Sequence, residues 1–222
     1  GKLFINYPKK IKAIQVQPKN ALRVVASGST KNGWKSYSVK GDTWGRARLS
    51  ITYEDGLEQT INYKVIDPES SVIASYGNFL TTRQWFNQPD PVFNRTPSVI
   101  TYDIEKQQQV VQDNRAWISG LSDEGGAGSW LGAIMKQLVQ PKKEEVDKLK
   151  QFVDSVMFGR LQLKSGPQKY GVKKSLFYYE PTLMPEGTYS KDVNYKTWSA
   201  WPKKEADNFG RSYNYPHVAA AH

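Results

Sequence analysis

Residues 46–66, RARLSITYEDGLEQTINYKVI, alternate apolar and polar side chains on both sides of Asp55-Gly56. Leu49, Ile51 and Tyr53 fall on one arm. Leu57, Ile61, Tyr63 and Val65 fall on the other, with a change of phase near Gln59. A period of two is the mark of a strand with one buried face. Asp55-Gly56 offers the residue that tolerates the positive φ of a primed two-residue turn. The stretch therefore predicts an antiparallel hairpin. Upstream, IKAIQVQ (11–17) alternates in the same way, and LRVVA (22–26) follows a Pro-Lys-Asn break. Downstream, Asp67-Pro68 stops the pattern. Residues 1–68 read as an antiparallel β-sandwich-like domain.

After Pro68 the period changes to that of a helix. In SSVIASYGNFLTTRQWF (70–86), Val72, Ile73, Tyr76, Phe79, Leu80 and Phe86 share one side. QPDPVFNRTP (88–97) reads as a loop and SVITYDIEKQQQVVQDN (98–114) as a short hairpin. A helix is expected from Gly126 to the residue before Pro141, with Trp130, Ile134 and Leu138 as a buried stripe. A second, KKEEVDKLKQFVDSVMF (142–158), turns Val146, Leu149, Phe152, Val153 and Val156 inward and completes an αα-hairpin. SLFYYEP (175–181) reads as a short strand. Pro216 reads as the first position of a last helix, because its missing N–H costs nothing there. Residues 69–222 thus form a mainly helical domain.

The composition restricts the chemistry. The chain has 222 residues, no cysteine, two histidines and a net charge of +10. Disulfides, thiolate metal sites and a cysteine nucleophile are excluded, and nothing calls for a metal or cofactor. No apolar run approaches the ~18 residues of a membrane span. Residues 1–50 hold eleven Lys and Arg against one acid, Asp42, whereas residues 51–222 hold twenty of each sign. The first fifty residues are therefore the polyanion-binding candidate, for nucleic acid or acidic polysaccharide.

GLSDEGGAGSW (120–130) sets Asp123 and Glu124 against Gly125, Gly126 and Gly128, just ahead of the helix. Carboxylates there favour the helix N-terminus, but the glycines weaken the helix. Such a cost is accepted where something approaches the backbone closely. Residues 177–217 hold ten aromatics in 41 positions, against a chain average of 13%. They stand in Pro- and Gly-broken loop rather than on a periodic element. Flat rings beside polar groups suit sugar rings, and Trp198, Trp201, Tyr213, Tyr215, Arg211 and His217 are the binding candidates. Glycoside hydrolysis uses two carboxyl groups. Asp123 and Glu124 are the first candidates, with Glu186 and Asp207 next, and Glu180 and Asp192 eligible. Asn94-Arg95-Thr96 is a glycosylation sequon, followed by Pro97.

Two stretches carry a resemblance: TYDIEKQQQVVQDNRAWISGLSDEGGAGSWLGAIMKQ (101–137) and YYEPTLMPEGTYSKDVNYKTWSAWPKKEADNFGRSYNYPHVAAAH (178–222). The chain from about Tyr76 onward resembles the six-hairpin glycosidase-like family, most specifically around 113–132 and 198–217. The resemblance implies a carbohydrate-active protein with a β-sandwich region followed by an (α/α)6 toroid. It brings no catalytic pair with it, so the acids named above rest on chemistry alone. A closed toroid needs twelve helices of ~11–12 residues, and this sequence has material for three or four. The expected fold is therefore α+β and multidomain: a sandwich followed by the first helical hairpins of an incomplete toroid. The expected function is part of a secreted glycoside hydrolase acting on a polysaccharide or oligosaccharide, with the C-terminal remainder of the same protein as partner. The alternatives are a non-catalytic carbohydrate-binding protein and a polyanion-binding protein acting through residues 1–50.

Overall fold

A computed structural model of the chain describes residues 1–30 and 32–222, with the side chain of Glu124 outside the description. The chain divides into two compact units, Gly1–Val72 and Ile73–His222.

The first unit is built from β1 (Lys2–Ile5), β2 (Ile11–Gln17), β3 (Leu22–Ser29), β4 (Lys35–Gly41), β5 (Gly45–Tyr53) and β6 (Glu58–Val65). They form two antiparallel three-stranded sheets, ordered β1-β4-β3 and β2-β5-β6. Ile5, Leu22 and Val39 from one sheet meet Ala47, Leu49, Ile51 and Tyr53 from the other in a single core. This is a small sandwich, and alternation builds it. Leu49 and Ile51 are 0% exposed, and each such burial contributes ~1.5–3 kcal/mol. The turn differs from expectation. The Tyr53 N–H donates to the Leu57 carbonyl at 2.9 Å and the Gly56 N–H to the Tyr53 carbonyl at 3.1 Å. Glu54, Asp55 and Gly56 therefore make a three-residue loop, with Gly56 at φ +85° as its left-handed member. Leu57 stands outside the packed face and is exposed.

The second unit opens with α1 (Glu69–Thr82), whose first residues lie in the first unit. It ends earlier than the periodicity predicts. Phe86 belongs instead to β7 (Trp85–Phe86), paired with β8 (Ser98–Val99). Val72 and Tyr76 are exposed, and the buried face of α1 is Gly77, Leu80 and Thr81. The expected hairpin after β8 is present as β9 (Tyr102–Asp103) and β10 (Gln108–Gln109). A short helix, α2 (Ala116–Ser119), follows.

The αα-hairpin is α3 (Glu124–Val139) and α4 (Lys143–Phe152), extended by a wide turn over Val153–Met157. Trp130, Leu149, Phe152 and Val156 share one core with Leu80, Val99 and Val218. Two expected core residues are not in it: Leu138 is 75% exposed and Val146 38%. Their part of the interface is taken by a buried ion pair. Lys136 of α3 bonds Glu145 of α4 at 2.8 Å, with side chains 4% and 3% exposed. Gly77 of α1 lies against this pair, and a Cβ there would stand 2.7 Å from Glu145 Oε2. A second buried pair, Arg95–Asp90, pins the Pro-rich loop. Arg95 grips both Asp90 oxygens, at 2.8 and 3.0 Å, and donates to the carbonyls of Val111 and Ser119.

SLFYYEP is not a strand. Its N–H groups go to scattered partners: Ser175 to Ala206, Leu176 to Gly120 and Tyr179 to Trp201. Among the described residues no strand pairs with it, so the apolar run is core lining without a ladder. The later chain holds a 3₁₀ turn (Pro181–Leu183), α5 (Lys203–Ala206) and α6 (Asn214–Ala221). α6 starts two residues before Pro216, which sits in its first turn. Its Val218 packs in the core against α3. No helix of the described residues is long and apolar enough to cross a membrane.

Candidate functional site

Close approach explains the glycines at 120, 125 and 126, while Gly128 faces open space. A Cβ on Gly126 would lie 2.2 Å from the carbonyl oxygen of Trp117. The glycine lets the first turn of α3 close on α2. What comes close is thus the protein's own helix. Leu121 adopts φ +72° while 1% exposed, and its carbonyl accepts the indole N–H of Trp130. The chain is thus reversed sharply between α2 and α3, and Asp123 emerges at the residue before α3.

Asp123 is 3% exposed. Both of its oxygens face Arg211: Nη2 donates to Oδ1 at 2.9 Å, and Nε lies 2.7 Å from Oδ2. Arg211 comes from the loop between α5 and α6, and its guanidinium also covers the Tyr213 ring at 5.2 Å. Beside this pair stands a wall of indoles. Trp117 of α2 lies 5.5 Å from Trp198 and 5.2 Å from Trp201, ring centre to ring centre. The Lys174 ammonium sits 3.7 Å over the Trp201 ring and pairs with Glu205. Trp117, Asp123, Gly125, Lys174, Trp198, Trp201 and Arg211 line a cleft of about 440 Å³. A second cavity of about 240 Å³ shares Lys174 and Arg211 with it and adds Glu205.

Four residues singled out in the sequence therefore meet in one cleft: Asp123, Trp198, Trp201 and Arg211. The two tryptophans are not equivalent, since Trp198 is 82% exposed and Trp201 6%. Trp201 belongs to an aromatic core with Phe93, Phe177 and Tyr195. Much of the aromatic loop is core of this kind. Tyr195 stacks on Tyr179 at 4.3 Å and donates its hydroxyl to Gln112 at 2.7 Å. Burial pushes its phenol well above the usual tyrosine range. Tyr189 donates to the Tyr178 carbonyl.

The other candidates lie elsewhere. Glu124's side chain is outside the described residues. Asp207 is held by Lys173 at 2.7 Å and by Lys203, in a separate cavity of about 350 Å³. Burial favours the neutral acid there, but the two lysines outweigh it and hold the carboxyl below its ordinary range. Glu186 is exposed in a turn. Glu180 accepts the Lys203 backbone N–H at 3.1 Å. Asp192 lines a polar groove with Asp103 and Asp113. Tyr213 is exposed, Tyr215 donates to the Phe209 carbonyl and His217 is half-buried on α6; none of the three lines the cleft. Asn94 is exposed, at φ +54°. The sequence reading missed Trp117, Lys174 and Glu205. Trp117 falls within the most specific part of the resemblance, whereas Lys174 and Glu205 carry no local signal. Among the described residues no group of three or more His, Asp or Glu is arranged to hold a metal ion.

Nothing among curated proteins matches the chain. One solved structure with a similar fold is titled a polysaccharide lyase. It superposes with a TM-score of 0.52 at 15% identity, over 77% of this chain and 25% of that one. The chain thus spans about a quarter of that neighbour's length, and at this identity the likeness is one of fold. The model of a family of unknown function, DUF5695, matches residues 1–222, and the chain belongs to that family.

Proposed function

We propose that the chain is part of a carbohydrate-active enzyme and that the cleft around Trp198 holds a polysaccharide or oligosaccharide. One observation carries the reading. An indole 82% exposed rests 5.5 Å from a second indole, tilted 32° to it, beside a buried carboxylate and two cations. An apolar platform with polar groups at its rim is what a sugar ring needs. The six-hairpin likeness of residues 76–222 and the lyase-like fold point to the same substrate class.

For the chemistry, we favour glycoside hydrolysis with Asp123 as one carboxylate. A carboxylate that accepts from Arg211 Nη2 on one oxygen and lies 2.7 Å from its Nε on the other is offered for the base or nucleophile role. Glu205, which shares Lys174 with the cleft, and Glu124 are the candidates for the acid. The second reading is elimination, favoured by Lys174 and Arg211, which could hold a substrate carboxylate. Secretion belongs to the same proposal, as does a toroid completed by the remainder of the protein, which would cover the exposed Leu138 and Val139.

Full-length protein on a panel of polysaccharides tests it. Hydrolysis releases reducing ends without ultraviolet absorbance, and elimination gives an unsaturated, absorbing product. Asp123→Asn should lower turnover by orders of magnitude while folding is kept. Turnover unchanged in Asp123→Asn would remove this carboxylate from the mechanism. Failure of the chain to bind any glycan of the panel would remove the cleft.

A further inference from the structure

The outer face of the β2-β5-β6 sheet carries cations that the fold does not use. Arg46 on β5 stands directly opposite Lys64 on β6, and Arg48 stands between Gln17 of β2 and Asn62 of β6. All five side chains are exposed. Like charges facing each other across an antiparallel pair destabilise it. The other sheet has the same arrangement, Arg23 opposite Lys40, but there Asp42 relieves it, 3.1 Å from Arg23. Among the described residues no acid pairs with Arg46, Arg48 or Lys64. Together with Gln17, Pro18 and Asn62 they line a groove of about 870 Å³.

The turn that leads into β5 carries an exposed aromatic ring. Trp44, two residues before Arg46, is 72% exposed. Its turn is fixed by the N–H groups of Asp42 and Thr43, both donating to the Ala21 carbonyl. The Ala21 N–H in turn donates to the carbonyl of Pro18, which lines the groove. The exposed indole thus stands on a braced turn whose chain leads directly into Arg46 of the groove.

We propose that this face binds an acidic polysaccharide, with Arg46, Arg48 and Lys64 on its carboxylate or sulfate groups and Trp44 against a sugar ring. Charge complementarity selects a polyanion. The remaining outward groups select its class. Beside the cations stand the amides of Gln17 and Asn62, and one pair further along the hydroxyls of Thr60 and Ser50, which match sugar hydroxyls. A single-stranded nucleic acid would need successive rings for its bases, and besides Trp44 on the preceding turn the outward strand positions Arg46, Arg48, Thr60, Asn62 and Lys64 carry none. The surface lies wholly in the first unit and shares no residue with the Trp198 cleft.

The whole chain carrying Trp198→Ala, run in native gels containing polygalacturonate, dextran sulfate or neutral dextran, isolates this surface from the cleft. Retardation by at least one acidic polymer and not by dextran is expected, and the stronger of the two identifies carboxylate or sulfate as the anion. Arg46→Ser/Arg48→Ser/Lys64→Ser should weaken it about tenfold or more, and Trp44→Ala by less. Removing equal charge from the other sheet, Lys2→Ser/Lys35→Ser/Lys40→Ser, should leave it nearly unchanged. Should the first triple fail to fold, Lys64→Gln serves in its place. It removes a like-charge clash, so it should weaken binding while the protein becomes no less stable. No retardation, equal loss from both triples, or tighter binding of oligodeoxythymidylate than of either acidic polymer would each overturn the proposal.

Discussion

The two units use their charges in opposite ways. In the first, Arg23, Lys40, Arg46, Arg48 and Lys64 lie exposed on the strands, and among the described residues one ion pair is formed there, Arg23–Asp42. In the second, cations are drawn inward onto acids: Arg95 onto Asp90, Lys136 onto Glu145, Arg211 onto Asp123 and Lys174 onto Glu205. The difference follows from architecture. A small sandwich has one apolar interior and sends every second residue to solvent. A unit made largely of loops has many buried backbone groups and short helices, and charged side chains tie them together. These four cations each have an acid of the same unit beside them, whereas Arg46, Arg48 and Lys64 of the first unit pair with no acid among the described residues.

The largest effect should come from breaking an inward pair. Lys136→Ala leaves Glu145 buried without its cation, at a cost of ~3–5 kcal/mol. Lys136→Met with Glu145→Leu should recover most of it, because apolar residues of similar size remove both charges. Urea unfolding of the three proteins measures this. A loss below 1 kcal/mol for the single variant would mean that the pair behaves as if on the surface, and the contrast between units would fail.

Next come the two tryptophans, three residues apart in one loop. Trp201→Ala should cost ~3–5 kcal/mol of stability. Trp198→Ala should leave the melting temperature almost unchanged and weaken glycan binding by ~1–3 kcal/mol, with base–aromatic stacking as the nearest analogue. Thermal melts paired with oligosaccharide titration separate the two roles. The reverse assignment would show that the exposed indole is structural.

Acid should then distinguish the units. Glu145 and Asp113 are each pushed up by burial, but pulled further down by Lys136 and Arg115 respectively, and Asp207 is lowered by its two lysines. A carboxyl depressed in the folded state contributes stability above its unfolded pKa and loses it as the pH falls through the folded value. The second unit should therefore weaken as the pH drops below the ordinary carboxylate range. In the first unit the one carboxyl shifted this way among the described residues is Asp55, lowered chiefly by the Tyr7 hydroxyl at the surface. Helical circular dichroism should fade at higher pH than the β signal. Simultaneous loss would argue against this difference.

The smallest effect is expected at Lys64→Gln. Relief of the clash with Arg46 should change stability by no more than a few tenths of a kcal/mol, in the favourable direction. A clear loss would mean that Lys64 holds a contact within the sheet.

Legibility followed the same division. The hairpin at 46–66 was readable because alternation acts between neighbours in sequence: Leu49, Ile51 and Tyr53 are buried together, as the pattern requires. The αα-hairpin was readable for the same reason, apart from Leu138 and Val146, whose places went to an ion pair that no apolar period announces. Asp123, Trp198, Trp201 and Arg211 were singled out by type and setting, but their meeting was not legible. Asp123 and Arg211 are separated by 88 positions, and no local rule links them.

By itself the sequence determined β2, β3 and the β5-β6 hairpin, the helix pair, the basic first fifty residues and the roster of acids and rings. It could do so because periodicity, turn chemistry and composition are local properties. Tertiary structure alone decided which tryptophan is a platform and which is core, which acid lies in the cleft, and which cations are left without an acid. Each of those depends on what the far end of the chain brings alongside, and burial, pairing and exposure are properties of that neighbourhood rather than of the residue.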